Sequence, residues 1–197
     1  MKKYFVIWIL LLIIVFFIMA CSNKDSDTRI NINRDIVQIK EFEVSTNLSF
    51  SNTVVQGNAY VQNKQDHIEI IIIASIVIGE NDWGGVAFYI PKGWDITSAL
   101  SSYPDVSGNE AENNARIWYT AGEEREWGNF VEIGHELNQT PTGGGTGTVL
   151  IELTSNKDNV KFNVFSFLVS VGSEMKDGIP VVGKTSTLVE IGINATE

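Results

Sequence analysis

The chain has 197 residues, with 14 lysines and arginines against 24 aspartates and glutamates and a formal net charge of −10. This acidic balance disfavours nucleic-acid binding, because phosphate contacts require clustered lysine and arginine side chains. Cys21 is the only cysteine of the sequence, which excludes an intrachain disulfide.

The N-terminus has the pattern of a secretory signal. A basic start, Met1-Lys2-Lys3, precedes an uncharged run of 17 residues from Tyr4 to Ala20. A basic segment, an apolar core and a terminal small residue are typical of a signal peptide. The run is also close to the shortest length that spans about 30 Å of hydrocarbon, so an uncleaved anchor helix is the alternative. Both interpretations place the rest of the chain outside the cytoplasm.

The segment Ile18-Met19-Ala20-Cys21 resembles the lipobox of bacterial lipoproteins. It has an aliphatic residue three positions before the cysteine and a small residue directly before it, whereas Met19 departs from the commoner small residue. The resemblance implies that the Cys21 thiol receives a diacylglycerol and that cleavage follows Ala20. We therefore expect an extracytoplasmic lipoprotein attached to the bacterial cell membrane, since two acyl chains provide a durable anchor.

Beyond the cleavage site the chain reads as a linker and one domain. Removing residues 1–20 takes away two lysines and leaves 12 basic and 24 acidic side chains, a net charge of −12. Residues 21–40 are polar and charged with little apolar periodicity, which predicts the lipidated cysteine and a linker. Residues 41–197 are enough for a single domain with its own core.

The first predicted strands show a period of two residues. Phe42, Val44, Leu48 and Phe50 share one parity, and a weaker strand follows at 54–61. From Ile68 to Ile78 nearly every residue is isoleucine, valine or alanine. That density of β-branched residues predicts a central strand buried on both faces.

The later part of the chain continues in the same way. Gly79–Gly85 reads as a loop, residues 86–90 resume the alternation, and residues 95–103 are compatible with a short helical turn. Further strands are expected at 115–120, 129–134, 146–153, 160–171 and 185–193, with the glycine run 143–147 as a hairpin loop. About nine strands without a sustained helical period predict an all-β domain, a single antiparallel β-sandwich or jelly roll.

The strand pattern also resembles a known group of sandwiches. A long apolar strand leads to Gly85-Val86-Ala87-Phe88-Tyr89-Ile90-Pro91, and a phenylalanine-bearing strand follows the glycine run. This order is similar to that of the cohesin and immunoglobulin-like sandwiches of bacterial surface proteins. The resemblance implies a fold, and any function taken from it is an analogy.

No catalytic constellation is apparent. Gly134-His135-Glu136 lacks the second histidine of a zinc-protease helix, because position 139 is Gln139. The chain has no Gly-x-Ser-x-Gly motif, and no lysine follows the glycine run as a phosphate loop requires. An envelope glycan hydrolase that uses loop carboxylates between Glu123 and Glu136, such as Glu126 and Glu132, remains an alternative.

Two acidic loops are candidate calcium sites. Carboxylate and amide oxygens on loops between strands suit a hard cation outside the cell. The candidate ligands are Glu80, Asp82, Asp105 and Glu110.

Tryptophans in or beside loops are candidate ligand-binding residues. An exposed indole beside polar groups can stack on a sugar or anchor a protein partner. The alternative is that these rings cap the core, with Trp118, which lies inside a predicted strand, as the likeliest core member. The ligand-binding candidates are Trp83, Trp94, Trp127, Asn81 and Asp82.

These observations favour a non-catalytic binding or interaction module, tethered to a membrane, for a cell-surface glycan or protein. The glycan hydrolase is one alternative. A structural or assembly lipoprotein that holds a protein partner near the membrane is another.

Overall fold

The protein is built of strands in the part of the chain that the computed structural model describes, residues 36–46, 52–104, 115–120, 126–156 and 163–193. Ten strands form two antiparallel sheets of five strands each. The predicted all-β antiparallel sandwich is confirmed. All ten strands lie within one compact unit, Asn33–Glu197. The described residues contain no helix long and apolar enough to cross a membrane.

The two sheets interleave strands from along the whole chain. The first sheet contains, in spatial order, β1 (Ile36–Ser45), β2 (Val54–Asn63), β3 (His67–Ile78), β8 (Gly145–Asn156) and β5 (Asp95–Ser101). The second contains β10 (Ile179–Gly192), β9 (Val164–Lys176), β4 (Val86–Pro91), β7 (Trp127–Ile133) and β6 (Ala115–Tyr119). The chain therefore crosses repeatedly between the sheets, for example from β3 to β4 and from β7 to β8.

The sandwich has two distinct ends. At one end, which we name the entry end, the chain enters β1 at Ile36, which pairs with Gln62 of β2. At the loop end lie the connections 79–85 and 134–144, next to the point where Ile78 pairs with Gly145. The ten residues of β1 separate the two ends by roughly 33 Å at about 3.3 Å per residue.

The core lies between the inner faces of the sheets. Phe42 of β1 meets Phe167 of β9 edge to face at 5.5 Å between ring centroids, and it also contacts Phe88 of β4 at 6.5 Å. Edge-to-face contacts of this kind add to the free energy of burying apolar area. The largest fully buried side chains are Phe88, Phe165, Phe167, Ile70, Ile72, Ile76, Ile90, Ile133, Ile151, Leu153, Val55 and Val61.

Several predicted details of the strands were wrong. β1 begins at Ile36, so residues 36–40 belong to the domain rather than to the linker. Residues 95–101 form a strand, β5, because they pair with β8, and they do not form a helical turn. The glycine run 143–147 is not a hairpin loop, since β8 begins at Gly145 and β7 and β8 lie in different sheets.

The central strand β3 differs from its prediction in an informative way. It does lie in the middle of the first sheet, but only one face is buried. Ile70, Ile72 and Ile76 point into the core, whereas Ile73 and Val77 on the other face are exposed. The apolar residues of the outer face are therefore not explained by packing within this chain.

The tight turn between β9 and β10 is explained by its two central residues. Asp177 and Gly178 both have positive φ angles, 53° and 78°. Two positive φ values in a two-residue turn match the twist of antiparallel strands, and Asp-Gly is a favoured pair there. This turn sets the register in which Ile179 pairs with Lys176.

We expect Phe167→Ala to lower the free energy of unfolding by about 3–5 kcal/mol, because it leaves a cavity between the two sheets. Ile179→Ala, at an exposed position of the hairpin tip, is the control and should change stability by about 0.5 kcal/mol or less. Urea unfolding followed by tryptophan fluorescence measures both. Equal effects of the two variants would contradict the placement of the core.

Candidate functional site

Asp82 ties together the loop end of the sandwich. Its side chain is fully buried. The Thr53 hydroxyl donates a hydrogen bond to Oδ2, and Oδ1 accepts one from the Ser173 hydroxyl (2.5 Å) and one from the Gly84 N–H (2.8 Å). Hydrogen bonds to a charged acceptor are the stronger kind, so this carboxylate holds the start of β2, the β3–β4 loop and β9 in place.

The structure corrects the assignment of Asp82 to a ligand or calcium site. Both of its oxygens already accept hydrogen bonds inside the protein, and the described residues contain no cluster of three or more histidine, cysteine, aspartate or glutamate side chains that could hold a metal ion. Glu80 is exposed two positions earlier. The other calcium candidates, Asp105 and Glu110, lie outside the described residues, as does Cys21.

A cleft of about 550 Å³ lies beside the Asp82 loop. It is formed where the backbone of the glycine run approaches the loop, with the Gly143 N–H donating to the Glu80 carbonyl (3.2 Å). A Cβ on Gly144 would lie 2.8 Å from the Ile78 carbonyl oxygen, so this approach requires glycine. The cleft is lined by Asn52, Val77, Ile78, Gly79, Glu80, Asn81, Gly143, Gly144, Gly145 and Thr146 and contains no aromatic side chain.

Two of the three candidate tryptophans are core residues. Trp83 and Trp94 are each only 7% exposed. The Trp94 ring packs on Phe165 at 4.7 Å between centroids, and Trp83 lies 6.5 Å from the ring of His135. Their assignment as ligand-binding residues is corrected: they close the ends of the core. Trp127 is partly buried and contacts Tyr89 at 6.4 Å.

The prediction for Trp118 was wrong in the opposite direction, since this residue is exposed rather than buried. It was the expected core member, but it is 40% exposed on the outer face of β6. Its strand is the edge of the second sheet, and its partner across the ladder is Phe130 of β7. The side to which Trp118 points depends on this register, which the sequence of β6 alone does not determine.

Trp118 belongs to an apolar row that crosses the entire second sheet. In the register, Trp118 pairs with Phe130, Phe130 with Tyr89, Tyr89 with Leu168, and Leu168 with Leu188. Each strand contributes one residue, and we name this set the cross-strand row. With four spacings of about 4.8 Å between strands, the row is roughly 19 Å long.

The aromatic part of the row is ordered by contacts between its own rings. Trp118 and Phe130 stack with centroids 6.1 Å apart and planes inclined by 16°. Phe130 and Tyr89 stack at 5.3 Å and 26°. Aromatic pairs that face each other across strands stabilise a sheet and restrict each other's rotamers. The row therefore presents a preformed apolar surface.

A carboxylate fixes the exposed end of the row. The Trp118 indole N–H donates to Oε2 of Glu132 (2.6 Å), and the other oxygen of Glu132 lies 3.1 Å from Nδ1 of His135. Arg116 is opposite Glu132 in the register, and its guanidinium donates to the His135 carbonyl (3.2 Å). Trp118 is thus exposed but held in one orientation.

Tyr89 lies in the middle of the row. Burial raises the pKa of its hydroxyl above the usual value, and the negative charge of Glu132 raises it further. Tyr89 consequently remains neutral at physiological pH and can act as a hydrogen-bond donor. Serving as donor next to apolar rings is a common role of tyrosine in binding surfaces.

Glu126 and Glu132 lie too far apart along β7 to form a glycosidase pair. Glu126 directly precedes β7 and Glu132 lies near its other end. Six residues of extended chain separate their Cα atoms by roughly 20 Å. A catalytic pair needs a separation of about 5–10 Å between its carboxyl groups. Glu123 and Glu124 lie outside the described residues.

No protein-family model matches the chain, and no curated protein matches it in sequence.

We expect Asp82→Ala to lower the free energy of unfolding by about 3 kcal/mol or more, because three donors lose a charged, buried acceptor. Glu80→Ala, an exposed carboxylate in the same loop, should change it by about 0.5 kcal/mol or less. Denaturant unfolding at neutral pH compares the two. A small effect at Asp82 would show that the loop end does not depend on this carboxylate.

Proposed function

We propose that this protein is a lipoprotein tethered through Cys21 to the outer face of a bacterial membrane, and that its β-sandwich is a non-catalytic module that binds an uncharged envelope glycan. The observation that carries the proposal is the cross-strand row. It combines aromatic rings, exposure and fixed geometry on an open sheet face.

The composition of the row and its surroundings favours a sugar chain as the ligand. Aromatic rings offer apolar surface to a sugar, while Glu132, Arg116 and Ser186 in the adjacent row carry polar groups that suit its hydroxyls. The elongated shape of the row suits a polymer better than a small molecule. Since the mature chain carries a net charge of −12, a polyanionic envelope polymer would be repelled.

The pre-ordering of the row also supports binding. Ligand binding has a free-energy cost for each mobile side chain that must become fixed, of about 0.5–1.5 kcal/mol. Trp118 is already held by Glu132 and stacked on Phe130, so much of this cost has been met in the free protein. An exposed tryptophan fixed in this way is typical of a residue that dominates binding.

The lipid tether complements this arrangement. The chain enters the domain at Ile36, and Ile36 lies at the end of the sandwich opposite the loop end. The row crosses the middle of the second sheet, away from both ends. A domain tethered by residues 21–35 would keep this face open to a polymer that runs through the envelope.

The lipid anchor can be tested independently of the glycan. In a bacterial host that processes lipoproteins, we expect the full chain to incorporate labelled palmitate and to fractionate with membranes. Cys21→Ser should abolish the label, since it removes the thiol that the diacylglycerol modifies. A wild-type protein that reaches the membrane without label would support the uncleaved anchor helix instead.

The glycan proposal predicts that residues 22–197 are retained by insoluble envelope polysaccharide and bind soluble chitohexaose. Trp118→Ala should weaken binding at least tenfold, equivalent to about 1.4 kcal/mol, because it removes the fixed indole. Pull-down and isothermal titration calorimetry measure the two interactions.

Tyr119→Ala is the matched control, because Tyr119 is 73% exposed on the same strand but outside the row. It should bind like the wild-type protein. Absence of binding by the wild-type protein, or an equal loss in both variants, would contradict a glycan site on the row.

A further inference from the structure

The outer face of the first sheet carries a second exposed apolar surface, on the opposite side of the sandwich from the cross-strand row. The register brings Ile39, Tyr60 and Ile71 together across β1, β2 and β3. It also aligns Ile73, Leu150 and Leu100 across β3, β8 and β5. Exposed apolar residues of this face include Ile39 (57%), Leu100 (51%), Val77 (44%) and Ile73 (42%). We name this surface the first-sheet face.

The charges on this face have one sign. Its outward positions carry Glu41 and Glu43 on β1, Glu69 on β3, Glu152 on β8 and Asp95 on β5. Outward positions of the five described strands hold no lysine or arginine.

The nearest basic groups lie at its margins. Lys40 is on the core-side parity of β1, where it pairs with Ala59. Lys64, in the turn before β3, is 3.5 Å from Glu69, and His67 at the entry end is hydrogen-bonded to Asp66 and Glu69. The first-sheet face therefore has an apolar centre surrounded by acidic side chains.

We propose that the first-sheet face docks a protein partner whose own surface has an apolar ridge flanked by lysine or arginine. The area is sufficient: five strands about 4.8 Å apart and about 33 Å long cover roughly 800 Å², the share of each partner in a standard interface. Apolar contact at the centre supplies affinity, and the acidic surround orients a basic partner and accelerates its association.

Charge argues against a second copy of this chain as the occupant. Packing two first-sheet faces together would bring Glu41, Glu43, Asp95 and Glu152 of each copy into one interface, where the outward positions of the five described strands supply no lysine or arginine. Like charges at an interface cost several kcal/mol. The mature chain's overall net charge of −12 adds to this repulsion.

The proposal does not depend on glycan binding, because the two surfaces lie on opposite faces of the sandwich. A tethered module with a glycan on one side and a basic protein on the other would connect the two. Loss of one activity should leave the other intact, and so the two proposals can fail separately.

A synthetic peptide of alternating leucine and lysine is a suitable probe, since as a strand it presents one apolar and one basic face. Residues 22–197 contain the whole compact unit, Asn33–Glu197, with all ten strands, which makes them the protein to use. We expect saturable binding that weakens with salt. Matched peptides of leucine with glutamate, or serine with lysine, should bind at least tenfold more weakly.

The double variant Ile73→Thr/Leu100→Thr should reduce the affinity for the leucine–lysine peptide at least tenfold. Ile179→Thr is the matched control, because Ile179 is 64% exposed at the hairpin tip of the second sheet and lies outside both the first-sheet face and the cross-strand row. It should leave peptide binding unchanged. Equal binding by the double variant and the wild type, or equal loss in Ile179→Thr, would overturn the proposal.

Amide chemical-shift mapping on the wild-type domain gives a second measurement that requires no variant to fold. Peptide-induced shifts should concentrate on β3, β8 and β5. Shifts confined to the second sheet, or binding of chitohexaose to the first-sheet face, would overturn the assignment. So would a dimer in sedimentation experiments that Ile73→Thr/Leu100→Thr dissociates.

Discussion

A two-layer sandwich can bury only the inner face of each sheet, and this constraint determines which side chains of each described strand belong to the core. Successive side chains of a strand point to opposite faces, so half of each strand is committed to the core and half is not. The inner half is filled by phenylalanine, isoleucine, valine and leucine at nearly complete burial. Apolar residues in the outer half gain nothing from this packing. This packing therefore does not explain Ile73, Leu100, Trp118 and Leu188, whereas the binding that we propose at the two outer faces would account for them.

The loop end has a structural role, although its residue composition is also typical of a ligand site. Aspartate, asparagine, tryptophan and glycine in one loop are residues that also form ligand sites. Here the Asp82 carboxylate satisfies donors from three segments, and Trp83 is packed beside His135. A buried carboxylate without such donors would be strongly destabilising, so this network is a requirement of the fold. The result moves the candidate ligand surface from the loops to an open sheet face.

The sequence predicts the class of the fold because a period of two residues is a local property. The alternation in β1 and the β-branched run of β3 can be read without knowing their partners. Register and sheet membership depend on distant segments. Residues 95–101 form a strand because they pair with β8. The chain crosses from one sheet to the other between β7 and β8, because these two strands lie in different sheets. The cross-strand row was missed for the same reason. Its five residues come from five strands, and Tyr89, Phe130 and Leu168 become neighbours only through the pairing. The burial of Trp94 against Phe165 likewise depends on a contact between distant segments.

The central claim is that the cross-strand row is the ligand surface of the module. The most direct test is a two-dimensional amide and indole NMR titration of residues 22–197 with chitohexaose. Our account predicts that the largest shifts occur at the Trp118 indole N–H and at the amides around Phe130 and Tyr89, with the Glu80 and Gly144 amides unchanged. Shifts that cluster instead around the cleft at Glu80, Asn81 and Gly144 would contradict it and place the ligand site at the loop end.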